Sequence, residues 1–189
     1  MNNFSTASDD ECIAAYQKYS NLKLAANSVG VKWQTLYSRL VKNGVSVCGD
    51  KSKYGSMADK IGARGEKDFA MLVPSAIDQN KSVFQAPFDF DVFGYAVDVK
   101  SSRKKSSSKT TSAKRWAFSI KRQESICDFF VFIAYADNCF DIEKVFLIPA
   151  EIARFLQSIS ISDTGKSKWN DYEVDRNDLL AFFESLIAA

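Results

Sequence analysis

Histidine is absent from this chain of 189 residues. Its absence excludes Ser-His-Asp and Cys-His catalysis, zinc sites that need histidine, and nucleases whose general base is a histidine. The four cysteines, Cys12, Cys48, Cys127 and Cys139, show no CxxC spacing, so we expect reduced thiols without a disulfide framework. Residues 1–12 lack the pattern of a signal peptide, and no apolar run approaches the length of a membrane span. We therefore expect a cytoplasmic protein with no membrane partner.

Apolar side chains are abundant. Hydrophobic residues make up 46% of the chain and aromatic residues 13%, which predicts a packed core rather than disorder. The net charge is only +2, so the distribution of charge says more about partners than the total does. Glycines recur among lysines around residues 49–60, which we interpret as a linker between a small module at 1–48 and a larger domain at 61–189.

The N-terminal module has the pattern of three helices within residues 9–46. Ser8 is placed to cap the first helix, Gly30 interrupts the pattern, and Gly44 ends the last helix. The segment LAANSVGVKWQTLYSRL, residues 24–40, resembles a helix-turn-helix of bacterial and phage DNA-binding proteins.

In such motifs the start of the second helix enters the major groove. The resemblance therefore implies base and phosphate contacts from polar and aromatic side chains of that helix. These are Lys32, Trp33, Gln34, Thr35, Tyr37, Ser38 and Arg39. A helical hairpin used only for packing or dimerisation is the alternative, but a buried helix would not need so many polar residues there.

The most informative segment is PFDFDVFGYAVDVKSS, residues 87–102, which predicts a short β-hairpin. Period-two alternation gives each strand an apolar side and a side that carries charge. Asp89 and Asp91 lie on the first strand, and Asp98 and Lys100 on the second. Clustered carboxylates repel one another unless a cation lies between them, so the hairpin is typical of a hard-metal site with a positive group beside it.

The turn register decides which upstream aspartate faces Asp98. With residues 93–94 as the turn, Asp89 lies opposite Asp98, whereas a type II′ turn at residues 94–95 places Asp91 there. Glycine prefers the first position of that second turn, so the residues alone leave both registers open.

The hairpin and an upstream glutamate together resemble the core motif of the PD-(D/E)xK nuclease superfamily. The family pattern is an acidic residue on one strand and (D/E)xK on the next, usually after a helix that carries a glutamate. The matching residues are Glu66 in ARGEKDF, Asp89 in APFDF, and Asp98-Val99-Lys100 in AVDVKSS. The similarity covers residues 60–155 and is closest to the branch with archaeal-type junction resolvases, some restriction enzymes and homing endonucleases.

This resemblance implies an α/β domain with a mixed sheet flanked by helices, and a bound Mg²⁺ or Mn²⁺. Asp89, Asp98 and the main-chain carbonyl of Val99 would be the metal ligands. The family's acid follows a proline and an aromatic residue, which favours Asp89 and leaves Asp91 as the second candidate.

The same resemblance gives roles to two further residues. Lys100 would orient or activate the attacking water and offset charge in the transition state, and Glu66 would assist metal binding or position water. Phosphodiester hydrolysis needs an in-line water, an electrophile on the phosphate oxygens and stabilisation of the leaving alkoxide. A site of oxygen ligands beside an amine supplies these without histidine.

A basic stretch, SSRKKSSSKTTSAKRW at residues 101–116, follows Lys100 directly and contains no acid. A solvated linker can have this composition, but its position next to the predicted metal site favours salt-dependent binding of the flanking phosphates. The candidate phosphate-binding side chains are Arg103, Lys104, Lys105, Lys109, Lys114 and Arg115.

The C-terminal third predicts two helices that cover the sheet, EIARFLQSIS and DRNDLLAFFESLIAA, the second capped by Asp175. Their apolar faces are Ile152, Phe155 and Leu156, and Leu179, Leu180 and Phe183. Between them, Trp169 has two interpretations, contact with DNA or packing on the core.

The sequence therefore predicts a metal-dependent DNA endonuclease, encoded by a bacterium, an archaeon or a phage, whose helix-turn-helix aids target choice. The substrate is expected to be double-stranded or branched DNA, in a homing, restriction or junction-resolving role. A homodimer or higher homo-oligomer is compatible with cutting two strands. The alternative from another class is a non-catalytic DNA-binding regulator with a nuclease-like domain.

Overall fold

The chain forms two units, Met1–Ser56 and Met57–Ala189. The computed structural model describes residues 7–47, 55–81, 86–106, 113–120, 126–153 and 155–188. The second unit begins with a helix at Met57, which lies inside the linker predicted at residues 49–60. Recurring glycines predict a linker, whereas this helix contains Gly62 and Gly65 in its interior.

The N-terminal unit consists of α1 (Asp9–Tyr19), α2 (Leu22–Ser28) and α3 (Trp33–Lys42), as predicted. Ser8 and Glu11 form a capping box at the start of α1. The two alanines at the centre of α2, Ala25 and Ala26, are buried together with Leu36 and Leu40 of α3. The small side chains on α2 let α3 approach closely. The burial of Leu36 and Leu40 against them determines which residues of α3 point outward.

The second unit is an α/β domain. Its elements are α4 (Met57–Leu72), β1 (Ile77–Asp78), β2 (Phe90–Val92), β3 (Tyr95–Arg103), β4 (Lys105–Ser106), β5 (Lys114–Ser119), β6 (Phe129–Tyr135), β7 (Ile142–Pro149), α5 (Ala150–Ala153), β8 (Ser158–Ser162), β9 (Glu173–Val174) and α6 (Leu179–Ile187), with 3-10 turns at Gln79–Lys81 and Lys168–Tyr172. The larger sheet has the order β1-β2-β3-β6-β7-β9. Strands β3 and β6 are parallel and the other neighbours antiparallel, so the predicted mixed sheet is confirmed.

Strands β4, β5 and β8 form a second, antiparallel sheet that the sequence analysis did not predict. Its first strand and the start of its second come from the basic stretch at residues 101–116. Its third strand begins inside the segment EIARFLQSIS, which predicted a helix, because the alternating SISIS places Ile159 and Ile161 on one buried face. These isoleucines pair with β5, where Ile161 lies opposite Trp116.

The predicted apolar helix face at Ile152, Phe155 and Leu156 is therefore wrong. Helix α5 spans only Ala150–Ala153, and the three side chains are 42%, 79% and 36% exposed. The final helix begins at Leu179 and not near Asp175, whose carboxylate instead accepts a hydrogen bond from the N–H of Asn177 at 2.8 Å.

The larger sheet has a different cover on each face. Helices α4 and α6 pack on the face that contains Val97 and Val99. The second sheet and α5 pack on the other face, which contains Phe130 and Phe132, and Trp169 is buried there rather than exposed for DNA. No helix within the described residues is long and apolar enough to cross a membrane.

Helix α4 approaches β3 through a contact that requires glycine. A Cβ atom at Gly65 would lie 2.6 Å from the Oγ atom of Ser101 and 2.7 Å from its Cβ atom. The Ser101 hydroxyl also donates a hydrogen bond of 2.8 Å to the carbonyl of Ile61. Helix α4 and strand β3, which carries the candidate site, are thus in close contact at Gly65.

We expect Gly65→Ala to lower the free energy of unfolding by about 1–2 kcal/mol, because overpacking costs about 1–3 kcal/mol and exceeds the helix-propensity gain of about 1 kcal/mol. Gly62→Ala is the matched control, since nothing lies within 4 Å of a Cβ atom built there. It should raise stability by roughly 0.5–1 kcal/mol. Urea denaturation of both variants tests the contact, and stabilisation of both would contradict it.

Candidate metal centre and nucleic-acid interfaces

The hairpin turn is formed by Phe93 and Gly94. Both residues have positive φ, 54° and 89°, and Val92 pairs with Tyr95 across the turn. Two residues with positive φ are the pattern of a type I′ turn, whose twist matches that of the flanking strands. The pairing of Phe90 with Val97 then continues toward Asp89 and Asp98, so the first of the two predicted registers is the observed one.

Asp91 has a different position from the candidate metal ligands. It pairs with Ala96, and its carboxylate accepts a hydrogen bond of 3.0 Å from the N–H of Gly94. This bond holds the turn that sets the register. The structure thus separates the two rival aspartates, with Asp91 at the turn and Asp89 beside Asp98.

Asp89 forms hydrogen bonds with the two residues that flank Asp98 in the chain. Its N–H donates to the carbonyl of Val97 at 3.1 Å, and its carboxylate accepts the N–H of Val99 at 2.8 Å. The other carboxylate oxygen accepts a 3.2 Å hydrogen bond from the side chain of Asn80. Sequence reasoning missed Asn80, because it lies outside the hairpin and is brought to Asp89 by the pairing of β1 with β2.

Asp98 and Lys100 project from β3 toward the face that carries the aromatic core. Their neighbours on β6 are Phe130 and Phe132, both fully buried. The Lys100 ammonium contacts the Asp98 carboxylate, and the two side chains are only 26% and 18% exposed. The pair is therefore partly screened from solvent by apolar side chains.

This environment changes the acidity of Asp98. Burial raises the pKa of the Asp98 carboxyl from 3.8 to about 7. The charge and hydrogen bonding of Asp89 add to this rise, and the charge of Lys100 opposes it in part. Desolvation and a nearby like charge both disfavour the ionised form. A cation bound between the two carboxylates would relieve both effects.

The carbonyl of Val99 points to the same side of β3 as its N–H, because the two groups of one residue in an extended strand face the same neighbour. The N–H binds Asp89, and the regular pairing with β2 ends at Phe90. The Val99 carbonyl is thus directed past the end of β2, where it can serve as an oxygen donor next to the two carboxylates.

Glu66 lies on α4, which packs on the opposite face of the sheet from Asp98 and Lys100. Among the described residues, no three acidic or cysteine side chains form a group that could hold a metal ion. The structure brings Asp89, Asp98 and Lys100 together and does not bring Glu66 into one group with them.

Another acid of α4, Asp68, has a structural role. It is 7% exposed, and its carboxylate accepts a hydrogen bond of 2.6 Å from the Tyr135 hydroxyl of β6. Burial and this carboxylate raise the pKa of Tyr135. Arg64 lies 3.5 Å from the same carboxylate, so the buried charge is balanced within the core.

The predicted basic loop is a β-hairpin in its described part. Lys104 contacts Glu143 at 2.5 Å and Asp163 at 4.0 Å, and Lys114 pairs with Asp137. These two lysines are partly neutralised and less available to phosphate than predicted. Arg103 ends β3, and Lys109 lies outside the described residues.

Lys105 and Arg115 face each other on β4 and β5, and both are exposed. Within the described residues, no carboxylate pairs with either one. Like charges directly opposite in a sheet destabilise it by a few tenths of a kcal/mol to about 1 kcal/mol. An anion bound between them would remove that repulsion.

In the N-terminal unit, Arg39 differs from the other predicted DNA contacts. Its guanidinium lies 3.6 Å from Asp9 and donates to the carbonyl of Ala7, so it faces α1. The remaining predicted residues are exposed at the start and along the outer face of α3: Lys32, Trp33, Gln34, Thr35, Tyr37 and Ser38. Val41, which the sequence analysis left out, is 54% exposed on the same helix.

Comparison with known proteins adds no family to these observations: no protein-family model and no curated protein matches the sequence.

The raised pKa of Asp98 predicts a pH-dependent loss of stability in the metal-free protein. The stabilising contribution of the proton is complete below pH 4 and is lost as the pH rises to about 7, because the folded state holds the proton more tightly than the unfolded state. With 1.36 kcal/mol per pKa unit, the loss is on the order of 2–4 kcal/mol.

We expect the isosteric variant Asp98→Asn to lack this loss and to be more stable than wild type at pH 8 in EDTA. Urea denaturation between pH 4 and pH 8, followed by tryptophan fluorescence, measures the difference. Parallel stability curves for the two proteins would show that Asp98 has an ordinary pKa.

Proposed function

We propose that this protein is a metal-dependent DNA endonuclease whose second unit has the PD-(D/E)xK fold. The proposal rests on one observation: Asp89, Asp98 and Lys100 lie together just beyond Phe90, where the pairing of β2 with β3 stops. The mixed sheet with helices on one face is compatible with that fold. Burial disfavours the ionised form of Asp98, so its carboxylate has no evident benefit for the stability of the fold.

The donor set fits a hard divalent cation such as Mg²⁺ or Mn²⁺. Mg²⁺ is usually held by one or two carboxylates and keeps several waters, so a third protein carboxylate is not required. Asp89, Asp98 and the Val99 carbonyl would hold the ion. When bound, it would withdraw charge from the phosphate oxygens and help form the nucleophile.

The chain's own groups would act around that ion. Asp98 binds a cation only when it is ionised, so its proton must leave before or during metal binding. Lys100, whose ammonium contacts Asp98 in the free protein, would turn its remaining donors to the attacking water and the phosphate. Asn80 would keep Asp89 oriented through its side-chain amide. The role of Glu66 in positioning water remains a prediction.

DNA is the substrate that the charge distribution favours. Residues 12–49 contain lysines and an arginine but no aspartate or glutamate, and three of the four acids of the first unit lie at the start of α1. In the second unit, Lys105 and Arg115 form an exposed basic pair on the hairpin that leaves from β3. Both features suit phosphate backbones, which dominate the affinity of nucleic-acid binding.

Cleavage tests the proposed site. In Mg²⁺, wild type should nick or linearise plasmid DNA or cut a four-way junction, and Asp98→Asn should reduce the rate at least about 100-fold, because a metal ligand is lost. Lys100→Ala should also reduce it strongly, and EDTA should abolish it.

Asp91→Asn is the matched control, since Asp91 is in the same hairpin but lies at the turn. It should keep most of the activity, whereas Asp89→Asn should lose it. Undiminished cleavage by Asp98→Asn would reject the site. Metal-independent DNA binding with no cleavage of plasmid, junction or mixed genomic DNA would favour the non-catalytic regulator.

The basic pair makes a separate prediction for DNA affinity. We expect Lys105→Ala/Arg115→Ala to reduce the slope of log affinity against log salt by about 1.8, from about 0.9 for each phosphate contact on duplex DNA. Fluorescence anisotropy in EDTA measures this without cleavage. The control Lys60→Ala/Lys67→Ala removes the same charge from exposed positions on α4. An equal change in the control would show that only net charge matters.

A further inference from the structure

One exposed side of α3 carries three large apolar side chains. Trp33, Tyr37 and Val41 are spaced four residues apart and are 43%, 39% and 54% exposed. On the neighbouring side of the helix, Leu36 and Leu40 are both fully buried. These three side chains, which we call the α3 stripe, therefore cannot turn inward without unfolding the unit.

Polar side chains border the stripe on the side away from Leu36 and Leu40. Gln34 and Ser38 are exposed there. The Ser38 hydroxyl donates its proton to the carbonyl of Gln34 at 3.0 Å, so it has no proton left to offer a base edge. Arg39, the residue type best suited to guanine, faces α1. The stripe is thus the apolar part of the exposed surface of α3 and lies beside a polar part.

Positive charge surrounds the stripe. A cleft of about 420 Å³ at the start of α3 is lined by Lys23, Asn27, Lys32 and Trp33, among others. Lys42 is exposed at the other end of the helix. Because residues 12–49 contain no acid, the positive charge around the stripe attracts a polyanion. The same charge repels the matching surface of a second copy of the protein.

We propose that the α3 stripe reads the 5-methyl groups of pyrimidines in the DNA major groove. The base edges in that groove are hydrogen-bond donors and acceptors, and the thymine methyl is the apolar exception. Tyr37 or Val41 placed against a polar edge would desolvate it without a hydrogen bond, which costs affinity. Against a methyl group the same contact is favourable, so the stripe selects A·T pairs by apolar contact.

This inference rests on the proposed function only in taking DNA as the ligand, and it does not depend on cleavage. The test uses the full-length protein in EDTA. Duplexes enriched by binding from a random-sequence pool are resynthesised with deoxyuridine in place of thymidine, which removes the methyl group and keeps the Watson–Crick pairing.

We expect deoxyuridine to weaken binding of wild type about fourfold for each methyl in contact, the value for one buried methyl-sized group. Tyr37→Ala/Val41→Ala should bind the thymidine duplex more weakly and should no longer distinguish it from the deoxyuridine duplex. Leu24→Ala is the control, because Leu24 is 41% exposed on α2, outside the stripe, and should keep the wild-type discrimination.

Equal affinity of wild type for the two duplexes would overturn the inference, as would an enriched pool without preferred A·T positions. It would also fall if sedimentation showed that wild type is a dimer that Tyr37→Ala/Val41→Ala dissociates, since the stripe would then be a protein interface. Methyl discrimination in a protein that cleaves no DNA would uphold the inference and reject the proposed nuclease.

Discussion

The arrangement of the candidate site depends on one two-residue turn. Phe93 and Gly94 both adopt positive φ, and the Asp91 carboxylate holds the Gly94 N–H. A shift of the turn by one residue would move the pairing of β2 by two residues and place Asp91 instead of Asp89 opposite Asp98. A turn that is unfavourable for phenylalanine is thus what places two carboxylates side by side.

The same site opposes stability. Asp98 lies next to Phe130 and Phe132, and its raised pKa shows that its charge is disfavoured there. The fold compensates elsewhere, through the buried aromatic layer between its two sheets, where Phe118 stacks on Phe132 with ring centroids 4.4 Å apart. A charged site that lowers stability, surrounded by a well-packed core that raises it, is expected when residues serve function rather than stability.

The elements that could be predicted are those with strong local signals. The capped helix α1, the paired alanines of α2 and the hairpin were predictable from capping, spacing and alternation. The second sheet was not, because β4 and β5 are rich in lysine, arginine and serine and gain their strand conformation from pairing with β8. The inward position of Arg39 was not predictable either, since its partner Asp9 is distant in sequence.

The position of β5 and β8 in the chain imposes an order on folding. These strands pair with each other, yet they come from either side of the β6–β7 pair. Closing so long a loop is slow unless the intervening segment has already folded. We therefore expect the second sheet to form late. Because it covers the face of β3 that carries Asp98 and Lys100, the burial that disfavours the ionised Asp98 carboxylate would be complete only once this sheet has formed.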